Sequence, residues 1–263
     1  SSIMQSIWKG AISFGLVTIP VGLYSATQDK KASFKQLRSG DHSPIRYKRI
    51  AEADGEEVEY ADIVRGYEIE KGKYVVFTKE ELSNIGKALS GTVDVVQFVD
   101  QEEIDPIYFK KSYYLAPEKG GVKAYKNLLN SLKAENKVGV AKVAIREREY
   151  VATLRAEDDV LVLETMWWPD EVREPAFETL EEEVEPSAEE LKMAAMIIEN
   201  LTATFDPTMW NDASREAVEA MAQAKVEGQE IVAPESPEPT KVVDLLDALK
   251  ASVEATKAKR KAG

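Results

Sequence analysis

The chain has 263 residues, of which 44% are hydrophobic and 31% charged, a composition typical of a soluble protein long enough for one large domain or two small ones. It has no cysteine and one histidine, His42, which excludes disulfides, thiol nucleophiles and the usual zinc sites and leads us to expect a cytoplasmic protein. There is no apolar run of about 18 residues, and the opening SSIMQSIWKG lacks the pattern of a secretory signal, so we expect neither a membrane span nor export.

The formal net charge of −13 is divided unevenly along the chain. Residues 1–155 contain 24 Lys and Arg against 21 Asp and Glu, whereas residues 156–263 contain 10 against 26. The first part is therefore slightly basic and the second strongly acidic. An anion-binding surface in the first part would be hidden by the acidic average.

The opening segment IWKGAISFGLVTIPVGLYSAT alternates like a β-strand. Trp8, Ile12, Phe14 and Leu16 fall on one predicted face, and Lys9 with small residues falls on the other. A face of small side chains lets another backbone or a ligand approach closely. We favour close approach of another backbone over a ligand, so that this strand packs against neighbouring strands in a barrel.

Short strands dominate the next part of the chain. Asp54-Gly55 between IRYKRI and EEVEYADIV predicts a hairpin, since glycine tolerates a positive φ. KEELSNI after Thr78 predicts a capped helical turn, and VKAYKNLLNSLKAEN has apolar residues at helical spacing. The further predicted strands are GKYVVFT, VDVVQFVD, IDPIYFKKSYYLAP, VGVAKVAI, YVATLRA and DVLVLETMWW. Many short strands with few helices predict an antiparallel β-barrel core over residues 1–180.

Helices are predicted after Pro169. Ser187 and Glu190 form a capping box, and an apolar stripe then continues to Asp206-Pro207, which should stop the helix. The stripe consists of Leu191, Ala194, Ile198, Leu201 and Phe205. A second helix is predicted from Asp212 to Glu227, before Gly228. These helices form a predicted arm over residues 181–230, which makes the fold class α+β.

The last part of the chain is predicted to be a Pro-rich linker over residues 231–240 and a tail helix over residues 241–263 with a basic end. The tail is too short to be a stable helix alone, and such segments typically fold into a groove of a partner. The alternative is that the tail packs back on its own barrel, as terminal helices sometimes do. Its apolar side consists of Val242, Leu245, Leu246, Leu249 and Val253.

Catalytic candidates are weak. His42 lies between Asp41 and Ser43 in a polar loop, where a solvated histidine is the favoured interpretation. The carboxylates near Asp54 could be considered as a Mg²⁺ site, but they surround a hairpin turn and a solvated tip is the favoured interpretation. Neither a P-loop nor a dinucleotide-binding glycine motif is present. We therefore expect no catalytic residue, no metal and no cofactor.

Two basic clusters are the stronger signal. The first runs from Lys30 to Arg49 and has seven bases against the single acid Asp41. The second lies between Lys119 and Arg148, where alternation predicts one basic strand face. Bases on extended strands suit a phosphate backbone, whereas the alternative is a solvated sheet face. The candidate DNA-binding residues are Lys30, Lys31, Lys35, Arg38, Arg46, Lys48, Arg49, Lys142, Arg146 and Arg148. The residues alone leave both interpretations open.

Several segments resemble bacterial Ku proteins, in order along most of the chain. They are SIWKGAISFGLVTIPVGLYSAT, IRYKR, VRGYEIEKGKYVV, DPIYF, YYLAP, LVLETMWWPDEVR and ELKMAAMIIENLTATFDP. The resemblance implies a β-barrel core with extended strands that bridge over DNA, plus a helical arm. It also implies a homodimeric ring that binds double-stranded DNA ends in non-homologous end joining.

The resemblance further assigns roles to residues. Arg46, Lys48 and Arg49 match the IRYKR segment and become candidate phosphate contacts. The arm, through Leu191, Ile198, Leu201 and Phe205, is expected to pack on the barrel of a second copy. The tail resembles the segment that recruits the polyfunctional repair ligase.

Our first hypothesis is therefore a non-catalytic DNA-end-binding scaffold located in the cytoplasm at the nucleoid. The alternative is a metal-dependent nucleic-acid-processing enzyme that uses the carboxylates near Asp54. A third hypothesis is a general protein-interaction barrel with an acidic arm, which leaves the basic strands unexplained.

Overall fold

A computed structural model describes residues 4–89, 91–229, 235–238 and 244–262 of the chain. They divide into two compact units, the first comprising Ser1–Lys30 with Lys35–Glu174 and the second Lys31–Phe34 with Pro175–Gly263. Within the described ranges, no helix has the length and apolar character needed to cross a membrane. The domain boundaries at 180, 230 and 240 stay predictions.

The first unit is built on a closed barrel of seven strands. In chain order these strands are β1 Trp8–Phe14, β2 Val17–Ser25, β5 Thr92–Val99, β6 Phe109–Pro117, β7 Val138–Ile145, β8 Arg148–Glu157 and β9 Val160–Met166. Around the barrel their order is β1-β2-β6-β9-β8-β7-β5. Two further strands, β3 Arg65–Glu70 and β4 Lys73–Phe77, form a separate antiparallel pair.

The barrel closes through one parallel pair. β1 runs parallel to β5, with Ala11 beside Thr92, whereas the other six neighbouring pairs are antiparallel. A closed ring with an odd number of strands cannot alternate in direction all the way round, so one parallel pair is required. The predicted α+β fold with an antiparallel β-barrel core is confirmed, with this single parallel pair.

The opening segment is a hairpin of two strands and not one strand as predicted. Gly15 has φ +56° and turns the chain, and Leu16 at the turn is fully exposed. Ile12 on β1 and Ile19 on β2 both point into the core, so the inward face changes from even to odd positions across the turn. Because apolar residues alternate in both strands, the sequence of this segment looks like one long strand, and the turn at Gly15 is not apparent from it.

The core is aliphatic and is covered on one side by α2 Val122–Glu135. Leu128, Leu129 and Leu132 of this helix are buried at the predicted helical spacing. The other large side chains that are fully buried include Ile12, Leu23, Leu115, Leu154 and Leu163. Burying such side chains is the main favourable term in folding.

A long excursion, residues 26–91, leaves the barrel between β2 and β5. It includes β3, β4 and α1 Lys79–Leu89. This helix begins after Thr78, and Thr78 Oγ1 accepts a hydrogen bond from the Glu81 amide at 3.1 Å. The segments IRYKRI and EEVEYADIV do not form strands, although one antiparallel bridge joins Ile50 to Glu57 across the predicted turn. Each face of these segments mixes charged and apolar residues, so neither face is apolar throughout and no buried face specifies a strand register.

The described part of the second unit contains three α-helices: α3 Ala188–Leu201, α4 Ala213–Val226 and α5 Leu245–Ala262. The capping box of α3 forms as predicted, with Glu190 N donating to Ser187 Oγ at 3.1 Å. The predicted extension of this helix to Phe205 is wrong, because Thr202 is extended and its hydroxyl donates to Ile198 O at 2.6 Å. α5 packs against α3.

Candidate nucleic-acid interface

Both ends of the excursion lie at the same end of the barrel. This is the end at which β1 begins. Because β2 is antiparallel to β1, β2 ends there, at Ser25, and because β5 is parallel to β1, β5 begins there, at Thr92. The antiparallel registers bring the starts of β6 and β8 and the ends of β7 and β9 to this end. We call it the barrel mouth, and its residues are Ser25, Thr92, Phe109–Lys111, Ile145–Arg148 and Met166–Trp167.

The basic segment Lys30–Arg49 forms the first part of the excursion. Between Gln36 and Ile45 it folds back on itself, and the Ile45 amide donates to Gln36 O at 3.0 Å. His42 sits in this loop with φ 59° and an exposed side chain. All seven bases of the segment are exposed to solvent. Lys31 belongs to the second unit, whereas Lys30 and Lys35 belong to the first.

Arg38 forms a two-pronged ion pair with Asp41 within this loop. Its Nε lies 3.0 Å from Oδ1 and its Nη2 lies 2.5 Å from Oδ2. This pairing raises the pKa of Arg38, and it lowers the pKa of Asp41, which also accepts a hydrogen bond from the Ser43 amide. Arg38 therefore holds the loop together, and binding a phosphate would require it to share its guanidinium with Asp41.

The three bases that match the IRYKR segment differ in their surroundings. Lys48 Nζ lies 3.8 Å from Glu57 Oε2, and the Arg49 guanidinium lies 5.6 Å from the centre of the Tyr60 ring. Arg46 makes no ion pair or hydrogen bond within the described part of the chain, and its side chain is exposed. Arg46 is thus the base of this group that could meet a phosphate without giving up another contact.

The predicted basic face in AKVAIRER is interrupted by a turn. Arg146 and Glu147 have φ 51° and 67°, and they connect the end of β7 to Arg148, the first residue of β8. Lys142 stays on the outside of β7, while Ala144 is buried. Two consecutive residues in the left-handed region reverse the chain. The positions predicted to share one strand face, Lys142, Ala144, Arg146 and Arg148, therefore do not share it.

A set of cations and aromatic rings lies instead on one side of the barrel mouth, on the neighbouring strands β6 and β8 and just after β9. Lys110 Nζ lies 4.3 Å from the ring centre of Trp167 and 5.1 Å from that of Tyr150. Lys111 Nζ lies 5.3 Å from the ring centre of Tyr113. Burial raises the pKa of Tyr113, and the neighbouring positive charge of Arg146 opposes this rise. Sequence reasoning missed Lys110 and Lys111, although two lysines among aromatic residues in FKKSYY were a visible signal.

Arg148 is also at the barrel mouth, where it is paired. Its Nη2 lies 3.1 Å from Glu171 Oε2, and its guanidinium lies 5.1 Å from the ring centre of Tyr150. The pKa of Glu171 is lowered by a hydrogen bond from the Trp168 amide and by Arg148. The pair orients the guanidinium beside the rings of the mouth.

The carboxylates near Asp54 have structural partners. Asp54 Oδ1 accepts a hydrogen bond from the Glu56 amide at 3.0 Å, which closes the turn at Gly55. Across the described ranges, no three His, Cys, Asp or Glu residues are grouped so that they could hold a metal ion. This turn thus offers no specific feature of a metal-dependent active site.

The stripe assigned to the dimer arm is largely uncovered in the single chain. Leu191, Ile198 and Leu201 lie on α3 with 59%, 67% and 49% of their surface exposed. Phe205 lies beyond the helix and stacks on Trp210, with 6.5 Å between ring centres. A second apolar face of α3 carries Met193, Ile197 and Asn200, which are half-buried or buried. α3 is therefore apolar on two sides.

The residues assigned to partner binding lie on α5, apart from Val242, which is outside the described residues. Leu245 is exposed, Leu246 and Leu249 are half-buried, and Val253 is 4% exposed. Asn200 of α3 donates from Nδ2 to Val253 O at 3.3 Å. The apolar side of the tail thus faces α3 of its own chain.

Comparison with known proteins identifies the barrel. A family model of the Ku70/Ku80 beta-barrel domain matches residues 13–193. The chain is 52% identical over 258 residues to the Non-homologous end joining protein Ku of Frankia casuarinae, an alignment that covers 98% of this chain and 65% of that protein. It is 44% identical over 262 residues to the protein of the same name from Heliobacterium modesticaldum, with 98% of this chain and 95% of the relative covered.

A third relative, from Desulfitobacterium hafniense, has the same name and is 41% identical over 258 residues, covering 98% of this chain and 90% of the relative. The chain spans less than two thirds of the Frankia protein but most of the other two. The family match spans most of the hairpin β1–β2, the excursion and the mouth that carries the cations. The resemblance noted in the sequence is confirmed, and the chain belongs to the Ku family.

Proposed function

We propose that this chain binds ends of double-stranded DNA, without sequence preference, as a homodimeric ring in non-homologous end joining. One observation carries the proposal. The excursion, of whose seven exposed bases six belong to the first unit, is anchored at both ends on the barrel mouth, where Lys110, Lys111, Arg146 and Arg148 lie. The bases of the excursion and the four cations of the mouth, which are far apart in sequence, thereby start from one end of the barrel, as a surface for one long polyanion requires.

The chemistry of this surface favours phosphate contacts over base recognition. The bases lie on irregular, exposed backbone and at strand ends, and neither described helix of the first unit, α1 or α2, presents them for insertion into a groove. Cations that neutralise phosphates supply affinity without sequence information. The rings of Tyr150 and Trp167 limit the freedom of Lys110, which reduces the entropy lost on binding.

A second copy of the chain is the proposed cover for the exposed apolar residues. Large side chains of the excursion are exposed, among them Tyr47 at 82% and Tyr67 at 66%, in addition to the stripe on α3. Large apolar side chains that stay exposed in a folded protein often mark an interface. Two excursions that close around one duplex would bury these residues and form the ring. The tail is proposed to recruit the polyfunctional ligase, and the DNA partner implies a location at the nucleoid.

We propose a scaffold without catalytic activity. Asp54, the residue on which the alternative of a metal-dependent enzyme depends, closes a turn through the Glu56 amide. A nuclease assay distinguishes the scaffold from the metal-dependent enzyme. Incubation with labelled duplex and Mg²⁺ or Mn²⁺ is expected to leave the DNA intact, and turnover that Asp54→Ala abolishes would establish the enzyme.

Competition between two forms of one DNA tests end binding directly. Linear duplex and covalently closed circular duplex of identical sequence are offered as competitors for a labelled linear probe, in the presence of a chelator. A preformed ring can be threaded only by a free end, so the linear form should compete and the closed circle should not. Equal competition by both forms would reduce the basic surface to a non-specific patch.

A further inference from the structure

The contact between α5 and α3 has features of a specific intramolecular interface. Asn200 is 8% exposed, and its Nδ2 donates to Val253 O at 3.3 Å and to Thr256 Oγ1 at 3.2 Å. Val253 is 4% exposed, which makes it the most deeply buried residue of the described second unit. A buried amide that meets defined acceptors fixes the register of two helices, at some cost in stability.

Two ion pairs flank this buried contact. Lys250 Nζ lies 3.8 Å from Glu189 Oε1, near the start of α3, and Arg260 Nη1 lies 3.0 Å from Glu199 Oε1, near its end. All four side chains are more than half exposed, so each pair adds little stability but favours one direction of the helices. α5 therefore has a single defined position along α3.

The face of α5 that is used here is the one assigned to the ligase. Leu246, Leu249 and Val253 are spaced three or four residues apart, and all three are covered to some degree, whereas Leu245 is exposed. A helix cannot present one face to two grooves at the same time. Binding of a partner through this face requires α5 to leave α3.

We propose that α3 is an intramolecular docking site for α5 and competes with the ligase for the same face of the tail. This inference rests on the proposed function, because it concerns the tail as the ligase-binding segment. The affinity measured for the ligase is then the intrinsic affinity reduced by the fraction of chains in which α5 is undocked.

Opening the contact from the α3 side leaves the tail itself unchanged. Asn200→Asp removes the donor and places a carboxylate oxygen near Val253 O, and the repulsion between these two acceptors disfavours docking of α5. We expect this variant of the whole 263-residue chain to bind the polyfunctional end-joining ligase of the same bacterium roughly three- to tenfold more tightly. Asn211→Asp makes the same chemical change at an exposed position outside the helices and should leave the affinity unchanged.

Closing the contact should have the opposite effect. The chain has no cysteine, so Glu199→Cys with Arg260→Cys introduces the only two thiols, at the position of an existing ion pair. A short bis-maleimide should join them within one chain and weaken ligase binding about tenfold or more. The same double variant treated with a monofunctional maleimide is the matched control and should bind normally.

The readouts separate this inference from the proposed function. If cross-links form only between chains, or do not form, α5 does not dock on its own α3 and the inference is wrong. It is also wrong if the cross-linked chain and Asn200→Asp bind the ligase like the unchanged chain while Leu246→Asp abolishes binding. If Leu246→Asp leaves ligase binding intact, the tail does not bind the ligase. The proposed competition between α3 and the ligase is then refuted as well.

Discussion

A β-carbon on Gly10 would lie 1.9 Å from the carbonyl oxygen of Gly91, at the seam where β1 and β5 close the barrel. The Ala11 amide donates to that same oxygen at 2.8 Å. The seam is the parallel pair that a ring of seven strands requires, and it tolerates only a hydrogen atom at this position. Barrel closure therefore depends on one glycine.

Gly10→Ala is expected to lower the free energy of unfolding by about 3 kcal/mol or more, because the obstructing atom belongs to the backbone and cannot rotate away. Urea unfolding followed by tryptophan fluorescence measures this. Gly40→Ala is the matched control, since a β-carbon on Gly40 would meet no heavy atom within 4 Å apart from its own residue and its two chain neighbours. It should change stability by less than about 0.5 kcal/mol. Equal stability of the two variants would refute the role of the seam.

The hydroxyl of Tyr125 connects α2 to two strands of the barrel. It donates to Leu115 O at 2.5 Å and accepts from the Leu161 amide at 2.7 Å, and the residue is 3% exposed. Tyr125→Phe leaves both backbone groups without this partner in a buried site, so we expect a loss of about 1–3 kcal/mol in urea unfolding. Tyr47→Phe removes a hydrogen bond between exposed side chains and should be nearly neutral.

The same tyrosine predicts a loss of stability in alkali. Burial raises the pKa of Tyr125, and the hydrogen bond from the Leu161 amide opposes the rise. Above about pH 10 the unfolded chain loses the phenolic proton while the folded chain retains it. The contribution of this group to the free energy of unfolding is thus complete below about pH 10 and declines above it. Tyr125→Phe should show a shallower decline between about pH 10 and 11 than the unchanged chain.

Arg46 is the predicted phosphate contact whose removal should least affect the fold, since it has no partner in the described residues. Arg46→Glu should weaken binding to all duplex sequences alike, and it should reduce the slope of log affinity against log salt by about 0.9 for each phosphate that the chain no longer neutralises. Lys126→Glu makes the same charge change on the exposed side of α2 and should leave the slope unchanged. An unchanged slope in Arg46→Glu would exclude this residue from the interface.

Lys110 tests whether the barrel mouth takes part in binding. Lys110→Gln removes the charge beside Trp167 and should likewise reduce the salt slope by about 0.9, the value expected when one phosphate is no longer neutralised. Titrations at several salt concentrations with two unrelated duplexes measure the slope and the dependence on sequence. A selective effect on one duplex would contradict a contact to phosphate alone.

The exposed stripe of α3 predicts the assembly state. Ile198→Asp places a charge in the surface proposed to be covered by a second copy, so we expect a shift from dimer to monomer or unfolded chain at about micromolar concentration. Sedimentation velocity with circular dichroism distinguishes these states. Lys192→Asp alters an exposed polar position of the same helix and should remain dimeric. A folded monomer of the unchanged chain under these conditions would disprove the homodimer.

Local patterns determined much of this protein from its sequence. The capping box of Ser187 and Glu190, the buried leucines of α2 and the short barrel strands all follow from side chains that act within a few residues of one another. Such signals depend on period and capping chemistry, which the sequence contains directly. The order of the segments also carried the resemblance to the family.

Relations between distant segments were decided by the tertiary structure. Three contacts join residues that are far apart in the chain. They are Gly10 with Gly91, Lys110 with Trp167, and Asn200 with Val253. Strand register, barrel closure and helix docking select these pairs, and none of them leaves a local period in the chain. For that reason the sequence alone identifies Lys30–Arg49 as a run of bases. Only the closed barrel brings both ends of the excursion that contains them to the mouth where Lys110 and Lys111 lie.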